Sequence, residues 1–511
     1  MRTERALNNI LIQFGSRFLG LILYFFLTPY IVKLLGSELY GLNQLLLQTI
    51  GYFTIAELGI GISLSVLIYK YLVQHDIQKI NALLSAAQFV YSIIGLAILI
   101  LGIIFSFYIE KLFSLPAELA NVAQIAFIIY IGSSAVSFFF SVPSILLNTS
   151  QKSYKAFVFT LITPLITYTG FICFIYFNFS VIGMALTTCV ATCVNLYGIN
   201  QIAKKEFPWL NIWNKQKDWS ILSITKYVFI DKLLVLAVFQ ADYILISYFL
   251  GVNYVAGYAL YTVFFVYIRD LVFIGMNNIT NGAGEMYEKK EFDGIYQLWR
   301  DALSFSFFIG IVLCTGIYFM FDFFFALWMH NSLLQSNAIL ICFIFNLFYL
   351  LTVQCSTLLV GSRNLYKNRI TGSLVELFTN IVLSVILIQH IGVLGAIVGT
   401  LVGHYIFNSW YLPALFLKSI NKKRTLFIQI YMRYILAGIL VFSATYLFYK
   451  YVMHTLIKNY DSYITFISGT ILLGFFISVI TYSMFSLLDS NFTNFKKRCM
   501  SMFLLLKNKF N

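Results

Sequence analysis

Ser144-Ile-Leu-Leu-Asn-Thr-Ser-Gln-Lys-Ser-Tyr-Lys155 returns 212 residues later as Ser356-Thr-Leu-Leu-Val-Gly-Ser-Arg-Asn-Leu-Tyr-Lys367, with six of twelve positions identical. The same offset carries Val181, Gly183, Thr188 and Val190 onto Val393, Gly395, Thr400 and Val402. Nearer the N-terminus the offset drifts to 215, where Leu35-Gly36 and Arg17 align with Leu250-Gly251 and Lys232. A chain that repeats its punctuation at nearly constant spacing reads as two copies of one structural unit.

What lies between the repeated blocks sets the class. Sixty per cent of the 511 residues are apolar and only 11% are charged. The mean hydropathy is +0.84. Many apolar runs reach the roughly 20 residues that cross a ~30 Å hydrocarbon core as a helix. They predict fourteen spans, near 7–33, 40–68, 83–109, 121–148, 155–177, 180–203, 223–250, 254–281, 301–328, 334–361, 369–389, 392–417, 427–450 and 463–488. Both copies of the repeated block then occupy the same topological place, the loop after the fourth and the tenth span. The expected fold is an all-α integral membrane protein with two pseudo-symmetric six-helix lobes related by an axis along the membrane normal. The lobes cover residues 1–203 and 223–418 and are joined by a polar linker, 204–222. Two extra helices (427–488) and a basic tail (489–511) follow.

Charge orients the spans. With the N-terminus inside, 26 of the 34 Lys and Arg residues fall in cytoplasmic segments and four in outer loops, Lys33, Lys111, Lys450 and Lys458. The remaining four, Arg17, Lys232, Arg269 and Arg433, fall within spans. Such a bias across fourteen alternations places both termini in the cytoplasm. It also assigns the net charge of +14 to membrane topology and not to nucleic acid. The seven cysteines lie mostly in apolar segments and read as small hydrophobes, without a disulfide or zinc framework. The histidines lack metal-ligand spacing, and no phosphate-cradling Gly-rich loop is present. No metal, cofactor or catalytic residue is expected. Trp328, Trp410 and Tyr411 read as interfacial anchors, and the first helix as uncleaved.

The ionisable residues inside the spans are costly there, which makes them functional candidates. Counted from the cytoplasmic helix ends, Arg17, Glu57, Asp231, Lys232, Arg269 and Asp270 share a layer about 12–17 Å deep. Arg17 sits on a polar stripe with Asn9, Gln13, Gly20, Tyr24 and Thr28, a face expected to avoid lipid. A structural reading pairs Arg17 with Glu57 and Lys232 with Asp270 to fix helix packing. A functional reading gives Arg17, Lys232 and Arg269 to a diphosphate, which Arg matches bidentately and Lys as a point charge. Glu57, Asp231 and Asp270 would then be counter-charges in a cavity lined by Gln13 and Tyr24. Asp242, nearer the outer face, is a candidate gate or coupling residue.

The opening of the chain resembles the polysaccharide-transport family, the O-antigen or capsule repeat-unit flippases, within the MATE-like multidrug/oligosaccharidyl-lipid/polysaccharide exporter superfamily. The resemblance rests on Asn8-Asn9-Ile-Leu-Ile-Gln13, Leu35-Gly36-Ser-Glu-Leu-Tyr40-Gly41-Leu and Ala56-Glu57-Leu58-Gly59-Ile60-Gly61, together with the span layout and the repeated loop. It implies a V-shaped pair of lobes in a bacterial cell membrane that translocates an undecaprenyl-diphosphate-linked oligosaccharide by alternating access. A polysaccharide polymerase is an implied partner, and a monomer is expected. In the related lipid II flippases, cations on helices 1, 2 and 8 line the cavity. Arg17 and Arg269 match helices 1 and 8, while helix 2 here carries Glu57. Drug-exporting relatives carry an acid in helix 1, where this chain has Arg17. Two rival readings are a cation-coupled small-molecule exporter and a lipid-linked sugar polymerase or ligase; the short outer loops speak against the latter.

Overall fold

A computed structural model describes residues 2–54, 74–150, 152–277, 290–330, 333–363, 365–453 and 463–489, together with a few positions between these stretches. It is all-helical, with no strands among the described residues. In chain order the long helices are α1 (Arg2–Leu35), α2 (Ser37–Thr54), α3 (Ile77–Ser106), α4 (Ala117–Phe139), α5 (Phe157–Tyr176), α6 (Ser180–Glu206) and α7 (Ile221–Leu250). They continue as α8 (Val252–Asn277), α9 (Phe292–Met329), α10 (Asn337–Ser362), α11 (Tyr366–Ile391), α12 (Val393–Ser419), α13 (Leu426–Met453) and α14 (Tyr463–Leu488). All but α2 are, among the described residues, long and apolar enough to cross a membrane. The expected span 40–68 begins as α2, and much of its remainder, including Glu57, lies outside the described residues.

The repeat is visible in the backbone. α1 passes to α2 through Gly36 at φ +86°, and α7 to α8 through Gly251 at φ +98°. At the equivalent turns, α11 passes to α12 through Gly392 at φ +60°, and α5 to α6 through Ser180 at φ +50°. These left-handed positions end one helix and reverse the chain within a residue or two, which glycine does without steric penalty.

The helices form two compact units, Met1–Ile274 with Tyr366–Thr400, and Gly275–Leu365 with Leu401–Asn511. In the first, the most extensive packings are α5 on α6, α7 on α11 and α4 on α6. With no hydrophobic drive between helices in lipid, close packing must come from small residues. Gly170 and Gly198 supply it at α5/α6. A methyl group there would lie 2.2 Å from Thr187 Cγ2 and 2.1 Å from Phe159 Cγ.

In the second unit α13 and α14 pack on α9 through aromatic rings. Phe307 lies 4.9 Å from Tyr434, and Phe448 stacks on Phe476 at 3.8 Å. Trp299 donates its indole N–H to Ser356 Oγ at 3.0 Å. Arg300 holds both Asp489 oxygens at 2.8 and 2.9 Å, and Tyr434 donates to the same carboxylate. This buried pair fastens the end of α14 to α9. Trp328 is buried against Phe324 and Phe325, so it is a core residue of this unit and not an interfacial anchor.

Candidate functional site

Among the described residues, the candidate charges of the first unit fall into three clusters. The first joins α1 to α8. Arg269 places both Nε and Nη2 on Asp270 Oδ1, at 3.0 and 2.7 Å, and Arg17 Nη1 lies 3.7 Å from Asp270 Oδ2. Arg269 also faces the rings of Phe239 and Phe273, at 5.9 and 5.7 Å, a setting that suits a weakly hydrated guanidinium. The side chain of Arg17 is 57% exposed and that of Asp270 20%. Two cations thus share one carboxylate, with the outer cation open to an incoming anion.

The second cluster joins α7 to α11. Arg369 Nε lies 3.2 Å from Asp231 Oδ1, with side-chain exposures of 11% and 0%. Ser373 Oγ donates to the same oxygen at 3.2 Å. Lys232 and Glu376 complete the electrostatic neighbourhood. Here too two cations, Lys232 and Arg369, surround one fully buried carboxylate.

The third cluster surrounds Asp242 on α7. Its Oδ2 accepts from Tyr258 Oη at 2.9 Å and from Thr400 Oγ1 at 2.7 Å. Asn380 Nδ2 in turn donates to Thr400 Oγ1 at 2.7 Å. All four side chains are buried, and they come from α7, α8, α11 and α12. One link deeper in the α11/α12 seam, Ser384 Oγ donates to Ala396 O at 3.0 Å.

The expected site residues are therefore distributed over distinct clusters. Arg17, Arg269 and Asp270 come together. Lys232 and Asp231 are placed with Arg369, and Asp242 stands apart from both groups. The pairing of Lys232 with Asp270 does not occur, because Asp270 is held by the two arginines. Tyr24 is buried against Tyr267, at 5.3 Å between ring centroids. Glu57 and the side chain of Gln13 lie outside the described residues. The sequence reading missed Arg369, which it assigned to a cytoplasmic loop. Its signal is a stripe at helical spacing, Arg369, Ser373, Glu376, Asn380 and Ser384, which faces α7 and α12. Among the described residues no group of three His, Cys, Asp or Glu side chains could hold a metal ion.

No family model matches the chain. A curated relative, "Putative O-antigen export protein" of Yersinia pseudotuberculosis, is 23% identical over 327 residues, 60% of this chain and 72% of that protein. Among solved structures, the lipid II flippase MurJ in an inward closed conformation aligns with a TM-score of 0.69 and 17% identity, over 93% of this chain and 98% of its own. An inward-facing multidrug resistance MATE transporter of the MOP superfamily aligns at 0.64 with 14% identity, over 81% and 98%. The Vibrio cholerae MATE transporter VcmN, as a point mutant, aligns at 0.63 with 16% identity, over 82% and 98%. These proteins are transporters and flippases, and the chain is a multi-pass membrane protein with the fold they share.

Proposed function

We propose that this chain is a flippase that moves a polyprenyl-diphosphate-linked oligosaccharide across the bacterial cytoplasmic membrane by alternating access, to supply capsule, O-antigen or a related surface polymer. The observation that carries the reading is the Arg17–Asp270–Arg269 cluster. A buried ion pair kept only for stability is often replaceable by apolar residues without loss. Here a second arginine is added and left largely exposed, which makes sense when an anion is to be received. A diphosphate offers oxygens in the planar spacing of two guanidinium forks. Asp270 would hold both forks in place when the site is empty, then yield them to the phosphates. Lys232, with Arg369 beside it, would give the diphosphate a second cationic foothold on α7.

Coupling falls to Asp242 in this reading. A carboxylate fixed by Tyr258 and Thr400 binds a proton or a small cation at a cost set by the arrangement of α7, α8, α11 and α12. That dependence is what links an ion gradient to a conformational change. The same cluster is also the observation that favours the rival, a cation-coupled exporter of small molecules.

The test is a flipping assay in membranes of a deletion strain, scored by external exposure of the lipid-linked sugar. Hydrogen bonds to charged groups contribute about 1.5–3 kcal/mol. Arg17→Ala and Lys232→Ala should each therefore lower flipping by roughly ten- to a hundredfold. Full activity of both variants at normal expression would overturn the diphosphate site. Intact transport in Arg17→Ala combined with its loss in Asp242→Asn would favour the small-molecule exporter.

A further inference from the structure

The segment between α6 and α7 is held against α3 along its length. Asn81 on α3 donates through Nδ2 to Trp209 O at 3.0 Å and accepts from Asn211 N–H at 3.0 Å. One turn on, Ser85 Oγ donates to Asn211 O at 3.2 Å and accepts from Asn214 N–H at 2.9 Å. Asp218 N–H donates to Ala82 O at 3.1 Å. Asn81 and Ser85 are buried and spaced i, i+4, so one face of α3 is given over to this strap. Within the strap, Asn211, Asn214 and Asp218 each accept from the backbone N–H two residues on, at 3.1, 3.3 and 2.9 Å. These are Asx turns, which stiffen an irregular chain.

Pinning gives the strap two faces. Over residues 213–219, Asn214 and Asp218 are half-buried, while Trp213, Lys215, Lys217 and Trp219 are exposed. Trp213 is 68% and Trp219 45% exposed. Trp219 packs edge-on against Phe89 of α3 at 5.8 Å, and Lys217 Nζ sits 3.9 Å over the same ring. Nearby, Lys204 and Lys205 are exposed as well. The one glutamate of this corner, Glu206, is occupied by Lys152 at 3.1 Å and Lys155 at 2.5 Å. The carboxylate of the strap itself, Asp218, is half-buried and accepts from Ser220 N–H, so the outward face presents indoles and ammonium groups together, at the end of its spans that the charge bias assigns to the cytoplasm. Indoles favour the bilayer interface, and ammonium groups there attract anionic headgroups.

We propose that Trp213–Trp219 is a docking surface for anionic phospholipid of the cytoplasmic leaflet. Trp213 and Trp219 lie at headgroup depth, and Lys215 and Lys217 hold lipid phosphate. The strap runs directly into α7, so the bound lipid fixes the start of the helix that carries Asp231 and Lys232.

The full chain reconstituted in phosphatidylcholine vesicles tests this. A minor fraction of the lipid is brominated phosphatidylglycerol in one sample and brominated phosphatidylcholine in the other. The emission of Trp213 is read as the difference between wild type and Trp213→Phe. Phosphatidylglycerol should quench it more, with local enrichment of about fivefold per lysine engaged, falling as salt is raised. The exposed-site double variant Lys215→Gln/Lys217→Gln should quench equally with both lipids. Asn81→Ala, which frees the strap, should lose the preference while an unchanged helical circular dichroism spectrum and a monodisperse elution profile report that the chain is folded. Equal quenching by the two lipids in wild type, or no quenching of Trp213 by either, overturns the proposal.

Discussion

Asp270 and Asp231 each lie between two cations, yet burial makes them different residues. Asp231 has no exposed side-chain surface, and its partner Arg369 very little. Asp231→Asn removes the ion-pair partner of Arg369 and leaves Glu376 as the carboxylate beside two cations in a low-dielectric setting, a loss of about 3–5 kcal/mol. The expected outcome is a steep fall in the thermal midpoint of detergent-solubilised protein. Asp270→Asn should cost far less, about 1 kcal/mol, because Arg17 is solvated and screened. Its effect should appear in transport instead. With no carboxylate to take the arginines back, the diphosphate binds more tightly and leaves more slowly. Both the apparent KM and the maximal flipping rate should therefore fall. A rise in KM would show that Asp270 supports binding and does not compete with it. That Arg17, Asp231, Lys232, Arg269 and Asp270 lie within long apolar helices was legible in the sequence. Their partners were not legible. Whether Asp270 meets Lys232 or Arg17 depends on which faces of α1, α7 and α8 approach each other, which hydropathy does not encode. Arg369 escaped because a cation at a span end usually snorkels; only its stripe with Ser373 and Glu376 marks it as inward-facing.

At the scale of elements, helix number and limits followed closely from apolar run length. α7, expected over 223–250, spans Ile221–Leu250, and α14, expected over 463–488, spans Tyr463–Leu488. The largest misses are of nine residues each. α4, expected to reach 148, ends at Phe139, and after a break at Phe140–Ser141 a short separate helix, Val142–Thr149, follows. α9 begins at Phe292, nine residues before the expected 301, because its first turns are amphipathic and escape a hydropathy reading. The linker was legible as polar, but its attachment to Asn81 and Ser85 was not, since these are contacts across more than a hundred residues. The turns allow a sharp test. Gly36 and Gly251 have open space where a Cβ would sit, so only their positive φ resists substitution. Gly251→Ala should destabilise by about 1–3 kcal/mol. At the equivalent of Gly392, Ser180→Gly relieves left-handed strain of about 1–2 kcal/mol and adds unfolded-chain entropy of about 0.5–1 kcal/mol. The expected result is a small gain in thermal midpoint, opposite in sign to the loss from Gly251→Ala.

At the scale of the molecule, the sequence repeat and the packing describe different things. The repeat relates α1–α6 to α7–α12 by descent of pattern, whereas the first compact unit gathers α1–α8 with α11 and the start of α12. The reason is chemical. α7 and α11 are stapled by Asp231–Arg369 near one end, and α7, α8, α11 and α12 by Asp242, Tyr258, Asn380 and Thr400 further along. In the proposed flippase this arrangement would separate cargo binding from coupling, because the cations sit on Asp270 and Asp231 while Asp242 is held by Tyr258 and Thr400. Asp242→Asn keeps the hydrogen-bond geometry but removes the titrating charge. Cargo affinity should stay within about twofold of wild type, since the cationic clusters are untouched. Gradient-driven export should fall to the level seen without a gradient. Reconstituted vesicles with and without an imposed proton or sodium gradient measure both quantities on one sample. If Asp242→Asn exports as wild type does under either gradient, the cluster is structural. Export would then have to be driven by the membrane potential or by consumption of the translocated product.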